Sequence, residues 1–182
     1  MKNNILKNII FSIVTLFVFS SISCDSDDDL PVGPTIILNS FCYGLDSANS
    51  FETTSGFYTD LQEIRSGVFK SNIFLTDENI TNGTNGELDG VGSLIELNLY
   101  GNQNNLLQRG TYRIDNLEEV GNAGVSYLID FDSTSTSNRG IILVSGYVSV
   151  SSYQGGVFVE IDGEDSNGDR FHGIFYGSFT AL

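Results

Sequence analysis

Apolar and polar residues alternate with a period of two through most of residues 35–182, and this pattern limits the fold more than any other feature of the chain. A period of two sends successive side chains to opposite faces of an extended strand. Val125, Tyr127, Ile129 and Phe131 alternate with Ser126, Leu128, Asp130 and Asp132. Ile95, Leu97 and Leu99 alternate with Glu96, Asn98 and Tyr100, and Val157, Val159 and Ile161 alternate with Phe158, Glu160 and Asp162. Ile142, Val144, Gly146, Val148 and Val150 share one parity, and Phe171, Gly173, Phe175, Gly177 and Phe179 share another. Val68 to Thr76, with Phe69, Ile73 and Leu75, reads as a further strand. Thr111-Tyr112-Arg113-Ile114 reads as a short one, and Thr35 to Tyr43 as the strand that opens the sheet. The nearest approach to a helix is Asp60 to Arg65, about one turn.

Turn chemistry separates these runs. Asn82-Gly83, Asn85-Gly86 and Asp89-Gly90 stand between two of them, and Asn167-Gly168 between the last two. Gly121 to Gly124 and Ser133 to Asn138 break the middle. Such residues supply the positive φ of tight hairpins. With no helix long enough for a crossover, the strands are expected to run antiparallel. The expected fold is all-β: a single antiparallel β-sandwich or flattened barrel of 8–10 strands, connected by hairpins. Gly146, Gly173 and Gly177 lie inside strand patterns and predict bulges or sharp curvature. At 182 residues and 40% apolar composition, the chain can bury one core and carry a short targeting segment besides.

That segment stands at the start. Met1 to Asn8 holds Lys2 and Lys7 and no acid, Ile9 to Phe19 is almost wholly apolar, and small residues lead to Cys24. A basic start, a short apolar run and a small-residue end make a secretory signal. The apolar run is about half the ~20 residues a membrane-crossing helix needs. The segment resembles a bacterial lipoprotein signal, although Ser21 and Ser23 stand where that family favours Leu and Gly or Ala. The resemblance implies cleavage before Cys24, with acyl chains on its sulfur and on its new amine. At ~0.8 kcal/mol per buried CH₂, several chains anchor a domain stably. The alternative is ordinary cleavage, with Cys24 left to pair with Cys42.

Asp25 to Asp29 and then Leu30-Pro31-Val32-Gly33-Pro34 follow. Clustered carboxylates repel one another and resist burial, so residues 24–34 read as a solvated tether that both prolines stiffen. Ser26-Asp27-Asp28-Asp29 also resembles the acidic export run of Bacteroidota surface lipoproteins. That resemblance implies an outer-membrane lipoprotein, lipid-anchored and facing the cell exterior. The chain thus divides into a removed signal (1–23), a lipidated tether (24–34) and a β domain (35–182). Gly110-Thr111-Tyr112, Gly146 to Val150 and Gly173 to Gly177 resemble a strand layout recurrent in β-rich Bacteroidota lipoproteins, and that layout carries over no catalytic residue.

Charge narrows the partners. The net charge is −15, with 23 acids against 8 bases. Cleavage before Cys24 removes two lysines and no acid, which leaves six bases and a net −17. An acidic surface disfavours nucleic acid and polyanionic ligands. Catalytic constellations are sparse. His172 is the only histidine, and opposite parity to Phe171 and Phe175 turns it outward. Metal sites and hydrolytic triads need partners that the sequence does not place beside it. Cys42, between Phe41 and Tyr43, reads as a small buried apolar residue. The pairs Glu118-Glu119 and Asp77-Glu78 read as solvated acids rather than a glycosidase pair.

Asp165, Asn167 and Asp169 have the alternate spacing of a calcium loop, but Arg170 stands where Gly is wanted and no Glu follows. A polar hairpin loop explains them more simply. Asp46-Ser47-Ala48 and Asp132-Ser133-Thr134 resemble the O-glycan acceptor of Bacteroidota, which implies Ser47 and Ser133 as acceptors; Asx-type turns explain them equally. No catalytic residue, metal or other cofactor is assigned. The expected role is non-catalytic: a displayed module that binds a glycan or a surface protein, or that serves structurally. A lipocalin-like barrel holding a small apolar ligand is one alternative, and a glycan-active hydrolase another. Exposed tyrosines in a row on one sheet face would favour glycan binding; an apolar interior cavity would favour the carrier.

Overall fold

The computed structural model describes residues 38–44 and 49–182, and the described residues contain thirteen strands and no α-helix. None of them lies in a helix long and apolar enough to cross a membrane. In chain order the first strands are β1 (Ser40–Tyr43), β2 (Phe51–Glu52), β3 (Ser55–Tyr58), β4 (Gln62–Arg65), β5 (Val68–Thr76) and β6 (Ile80–Asn82). Then come β7 (Leu88–Gly101), β8 (Gly110–Ile114), β9 (Asn122–Asp132) and β10 (Ile141–Tyr153). The last are β11 (Gly156–Asp165), β12 (Arg170–Gly177) and β13 (Phe179–Ala181).

The chain is all-β, and its strands form one curled, barrel-like sheet. Eleven strands lie along a continuous path, β13-β3-β5-β7-β9-β8-β10-β11-β12-β1-β2, with β4 on β5 and β6 on β7 beside it. The strand count therefore exceeds the 8–10 expected, because short pieces such as β2, β6 and β13 leave little apolar pattern in the sequence. The sheet is also mixed, since β13 runs parallel to β3 and β8 parallel to β9. The expectation of purely antiparallel pairing assumed that parallel neighbours need a helical crossover. Here the β8–β9 contact is only two pairs long, Arg113 with Asn122 and Ile114 with Ala123, so a short loop suffices. β8 wedges between β9 and β10 where they part, and Asn116 Nδ2 donates to the Leu143 carbonyl at 2.9 Å at that fork.

The two ends of the path meet across a seam. β2 and β3 are joined by Thr53 and Thr54. The Thr53 amide donates to the Asn39 carbonyl, beside β1, at 2.8 Å, and the Thr54 amide to the Thr76 carbonyl of β5 at 2.7 Å. A second crossing joins β12 to β13 through Ser178. The seam is thus bridged twice by covalent chain, and the ladder edges that would otherwise invite pairing with other chains are short.

Inside lies one core. Ile73 and Leu75 of β5, Ile95, Leu97 and Leu99 of β7, and Phe171 and Phe175 of β12 are fully buried, as the alternation requires. Val159 and Ile161 of β11 join them. The alternation in β10 does not persist. Its register shifts between Leu143 and Ser145, and Gly146 takes φ +116°. The bulge flips parity, so Leu143, Val148 and Val150 point inward while Ile142 and Val144 are exposed. Gly146 is thus a bulge as expected, but Gly173 and Gly177 are not positive-φ positions; rings lie against them instead. Ile129, expected inward with Val125 and Tyr127, is exposed where β9 runs past the core. Asp89-Gly90 lies within β7 rather than at a turn, and the segment read as one helical turn contains β4.

An aromatic stack crosses the core. Phe51 lies on Tyr127 with centroids 4.6 Å apart, Phe41 on Phe171 at 5.7 Å, and Phe41 on Phe51 at 5.8 Å. This ties β1, β2, β9 and β12 together. A Cβ at Gly173 would overlap both the Phe41 ring and the Ser40 carbonyl. Gly173→Ala should therefore cost about 3 kcal/mol or more through overpacking, read as a fall in denaturant midpoint. An unchanged midpoint would remove this glycine from its packing role.

Candidate ligand-binding face

The outer side of β10, β11 and β12 carries the most developed surface chemistry of the described residues. Register sets its side chains in transverse rows: Ser151–Phe158–Tyr176, Ser149–Glu160–Ile174, Tyr147–Asp162–His172 and Ser145–Glu164–Arg170. Tyr153, opposite Gly156, stands at the hairpin end. Tyr147 is 37% exposed and Tyr153 61% exposed, while Phe158 and Tyr176 are half-buried. From Tyr147 to Tyr153 the strand extends roughly 20 Å. The sequence had named Phe158, Glu160 and Asp162 as one parity. The continuous β10–β11 hairpin register sets Tyr147 opposite Asp162 and Tyr153 opposite Gly156, on the same side as these three.

These groups are held, not loose. Tyr176 Oη donates to the Tyr153 carbonyl at 3.1 Å, and its ring lies so close to Gly156 that a Cβ there would stand 2.6 Å away. Tyr147 Oη donates to Glu160 Oε1 at 3.3 Å. Burial and then the Glu160 and Asp162 charges push the Tyr147 hydroxyl above its ordinary range, so it stays a neutral donor. Arg170 grips Asp162 through both oxygens, Nε at 2.9 Å and Nη2 at 3.0 Å. Asp162 itself raises the Arg170 pKa further. His172 faces outward as its parity required, but it is half-buried, and its Nδ1 has no hydrogen-bond partner. Burial, then the Arg170 charge, lowers its pKa, so the ring is neutral at pH 7.

The calcium-spaced residues form a self-satisfied turn. Asp165 Oδ1 accepts from the amides of Asn167 (2.8 Å) and Asp169 (2.9 Å). Its Oδ2 accepts from Tyr43 Oη (2.8 Å) and Asn167 Nδ2 (3.2 Å). Four donors already point at this carboxylate. Burial works against its charge, but the hydrogen bonds prevail and hold its pKa below the ordinary value. In the same contact, burial and the Asp165 carboxylate push Tyr43 up to about 12. No group of three or more metal-ligating side chains occurs among the described residues.

Ser133 lies in the β9–β10 connection. Its Oγ donates to Asp89 Oδ1 at 2.9 Å and accepts from the Gly90 amide at 3.1 Å. Asp132 accepts from both the amide and the hydroxyl of Thr134, which lowers its pKa. A groove of about 530 Å³ runs beside this connection, with Tyr127, Ile129 and Ile141 against Asp130 and Arg139. Of the acids read as solvated, Asp77 is a turn organiser; it accepts from the amides of Asn79 (2.9 Å) and Ser93 (2.6 Å). Cys42 is buried as expected, 5% exposed, but it is disulfide-bonded rather than a leftover thiol. Cys24, Ser26, Asp27, Asp28, Asp29 and Ser47, with the signal and tether, lie outside the described residues.

Stability should form a plateau bounded on both sides. Below about pH 6.5 the unfolded chain protonates His172 more readily than the folded one, and below about 3.8 the same holds for Asp165, so stability falls on acidification. Above about pH 10 the unfolded chain releases the Tyr43 proton that the folded one holds to about 12, so stability falls again. Thermal melts across pH check this, and His172→Gln should remove the loss that begins near 6.5. Tyr43→Phe should lower stability by about 1.5–3 kcal/mol, the worth of a hydrogen bond to a charged acceptor. Millimolar calcium should leave the melting temperature unchanged; a rise would show that the metal displaces the four donors.

No protein-family model, curated protein or solved structure matches this chain.

Proposed function

We propose that this protein is a surface-displayed outer-membrane lipoprotein whose β domain binds glycans without catalysis. The observation that carries the binding role is the row of Tyr147, Tyr153, Phe158 and Tyr176 on one outward face. Sugar rings present flat apolar patches edged by hydroxyls, and tyrosines match them with a broad face and a polar tip. Serines at 145, 149 and 151 and the carboxylates between them supply hydrogen-bond partners for hydroxyls. Rigid anchoring of Tyr176 over Gly156 lowers the ordering cost of binding. The aromatic stack, meanwhile, fills the core, so the outside of the sheet is the favoured place for a ligand.

Placement rests on the sequence of the first 29 residues: the signal, Cys24 and the Ser26-Asp27-Asp28-Asp29 run. A sulfur carried in a thioether cannot also sit in a disulfide. Mass spectrometry of the native product should find Cys24 acylated. An unmodified Cys24 disulfide-bonded to Cys42 would contradict the lipid anchor. Replacing Asp27, Asp28 and Asp29 by Ala should leave lipidation intact and hide the domain from protease added to whole cells.

For the ligand, Tyr147→Ala and Tyr153→Ala should each weaken oligosaccharide binding several-fold, at about 1 kcal/mol per aromatic contact. Binding that ignores both substitutions, or that is competed by a protein and not by sugars, would overturn the glycan reading.

A further inference from the structure

The strands on either side of β10 carry opposite chemistry, which bears on the class of sugar. This inference rests on the glycan reading above and deepens it. On one side, β8 sets exposed Arg113 in register with Tyr147 and Thr111 with Ser149. On the other, β11 sets Asp162 against Tyr147 and Glu160 against Ser149. In the next strand Arg170 stands opposite Glu164 and grips Asp162. Two guanidiniums, Arg113 and Arg170, against three carboxylates, Glu160, Asp162 and Glu164, leave this face one negative charge on a chain of net charge −15. Arg109 and Asp115, just outside the two ends of β8, offset each other. The face is thus close to neutral, yet two of its groups have capacity left. The Arg113 guanidinium has no hydrogen bond or ion pair among the described residues. Glu160 accepts from Tyr147 through one oxygen and keeps the other.

A guanidinium only donates and a carboxylate only accepts, whereas a sugar hydroxyl does both. A neutral sugar stacked on Tyr147 can therefore accept from Arg113 at one edge and donate to Glu160 at the other. A uronate would gain at Arg113 and meet like charge at Glu160 on the opposite flank; an ammonium group would meet the reverse. Either would also shed hydration with no net gain in charge pairing. We infer that this face selects a neutral, hydroxyl-rich glycan over its anionic and cationic counterparts, with Arg113 of β8 as a contact residue of the site.

Three probes on a common β-1,4-linked backbone test this: neutral chitohexaose, chitosan hexasaccharide with free amines, and a cellouronic hexasaccharide with carboxylates. Each is titrated calorimetrically into the full mature protein in detergent at pH 6. Chitohexaose should bind about fivefold or more tightly than either charged hexasaccharide, with an affinity that scarcely changes up to 0.5 M salt. The R113Q variant should bind chitohexaose several-fold more weakly and shift selectivity toward chitosan; R113K should keep the parent selectivity. The E160Q variant should shift selectivity toward the uronic probe. The R139Q variant removes the same charge from an exposed site in the β9–β10 connection and should leave all three affinities in their original ratios. Equal or tighter binding of a charged hexasaccharide to the unaltered protein would overturn the neutral preference and leave the glycan reading standing. So would an R113Q variant that binds as the parent does, or an R139Q variant that shifts as R113Q does, because net charge alone would then explain the shift. Binding of none of the three, or chitohexaose binding that survives Tyr147→Ala with Tyr153→Ala, would overturn the glycan reading itself.

Discussion

Rings laid on glycines hold this barrel in shape. Phe41 lies across Gly173, Phe179 and Phe175 press on Gly56, and Tyr176 lies over Gly156 on the outside. A glycine within a strand costs roughly 0.5–1 kcal/mol against alanine. Full burial of an aromatic or large aliphatic side chain returns about 1.5–3 kcal/mol. The exchange favours the fold, and it explains why glycines interrupt the phenylalanines of β12 at every second position. It also sets the curvature. Removing a Cβ lets a neighbouring ring and its strand approach the sheet more closely than a flat ladder allows.

The same packing decides where function can lie. Phe41, Phe51, Tyr127 and Phe171 occupy the core in mutual contact. The chain crossings at Thr53–Thr54 and Ser178 bridge the seam. What remains is a rigid outer surface. On it, the β10–β12 face combines exposed tyrosines, carboxylates and one paired arginine. The groove beside Ile129 and Arg139 has walls of mixed character, but its acid Asp132 is committed to Thr134. The proposed tether would hold such a face away from the membrane, where large soluble or surface-bound sugars could reach it.

Much of the fold was legible in the residues because burial enforces alternation. The inward sets of β5, β7, β11 and β12 could be read directly from apolar parity. Legibility failed where one residue resets the period. The bulge at Gly146 exchanged Ile142 and Val144 for Leu143 on the inward face. The parallel pairings were hidden because they are too short to need a crossover. The Asp165 turn could be read as polar, yet its fourth donor, Tyr43, is 122 residues away and invisible to any local pattern. The aromatic row was half legible: Phe158 and Tyr176 follow from strand parity, while their alignment with Tyr147 and Tyr153 depends on cross-strand register.

Residue-resolved NMR during titration with a neutral oligosaccharide such as chitohexaose tests the binding face most directly. Shifts confined to Tyr147, Tyr153, Phe158, Tyr176 and the Glu160–Glu164 segment are the expected result. Shifts centred on Ile129, Arg139 and Ile141, with the tyrosine face unmoved, would place the ligand in the groove and contradict the assignment.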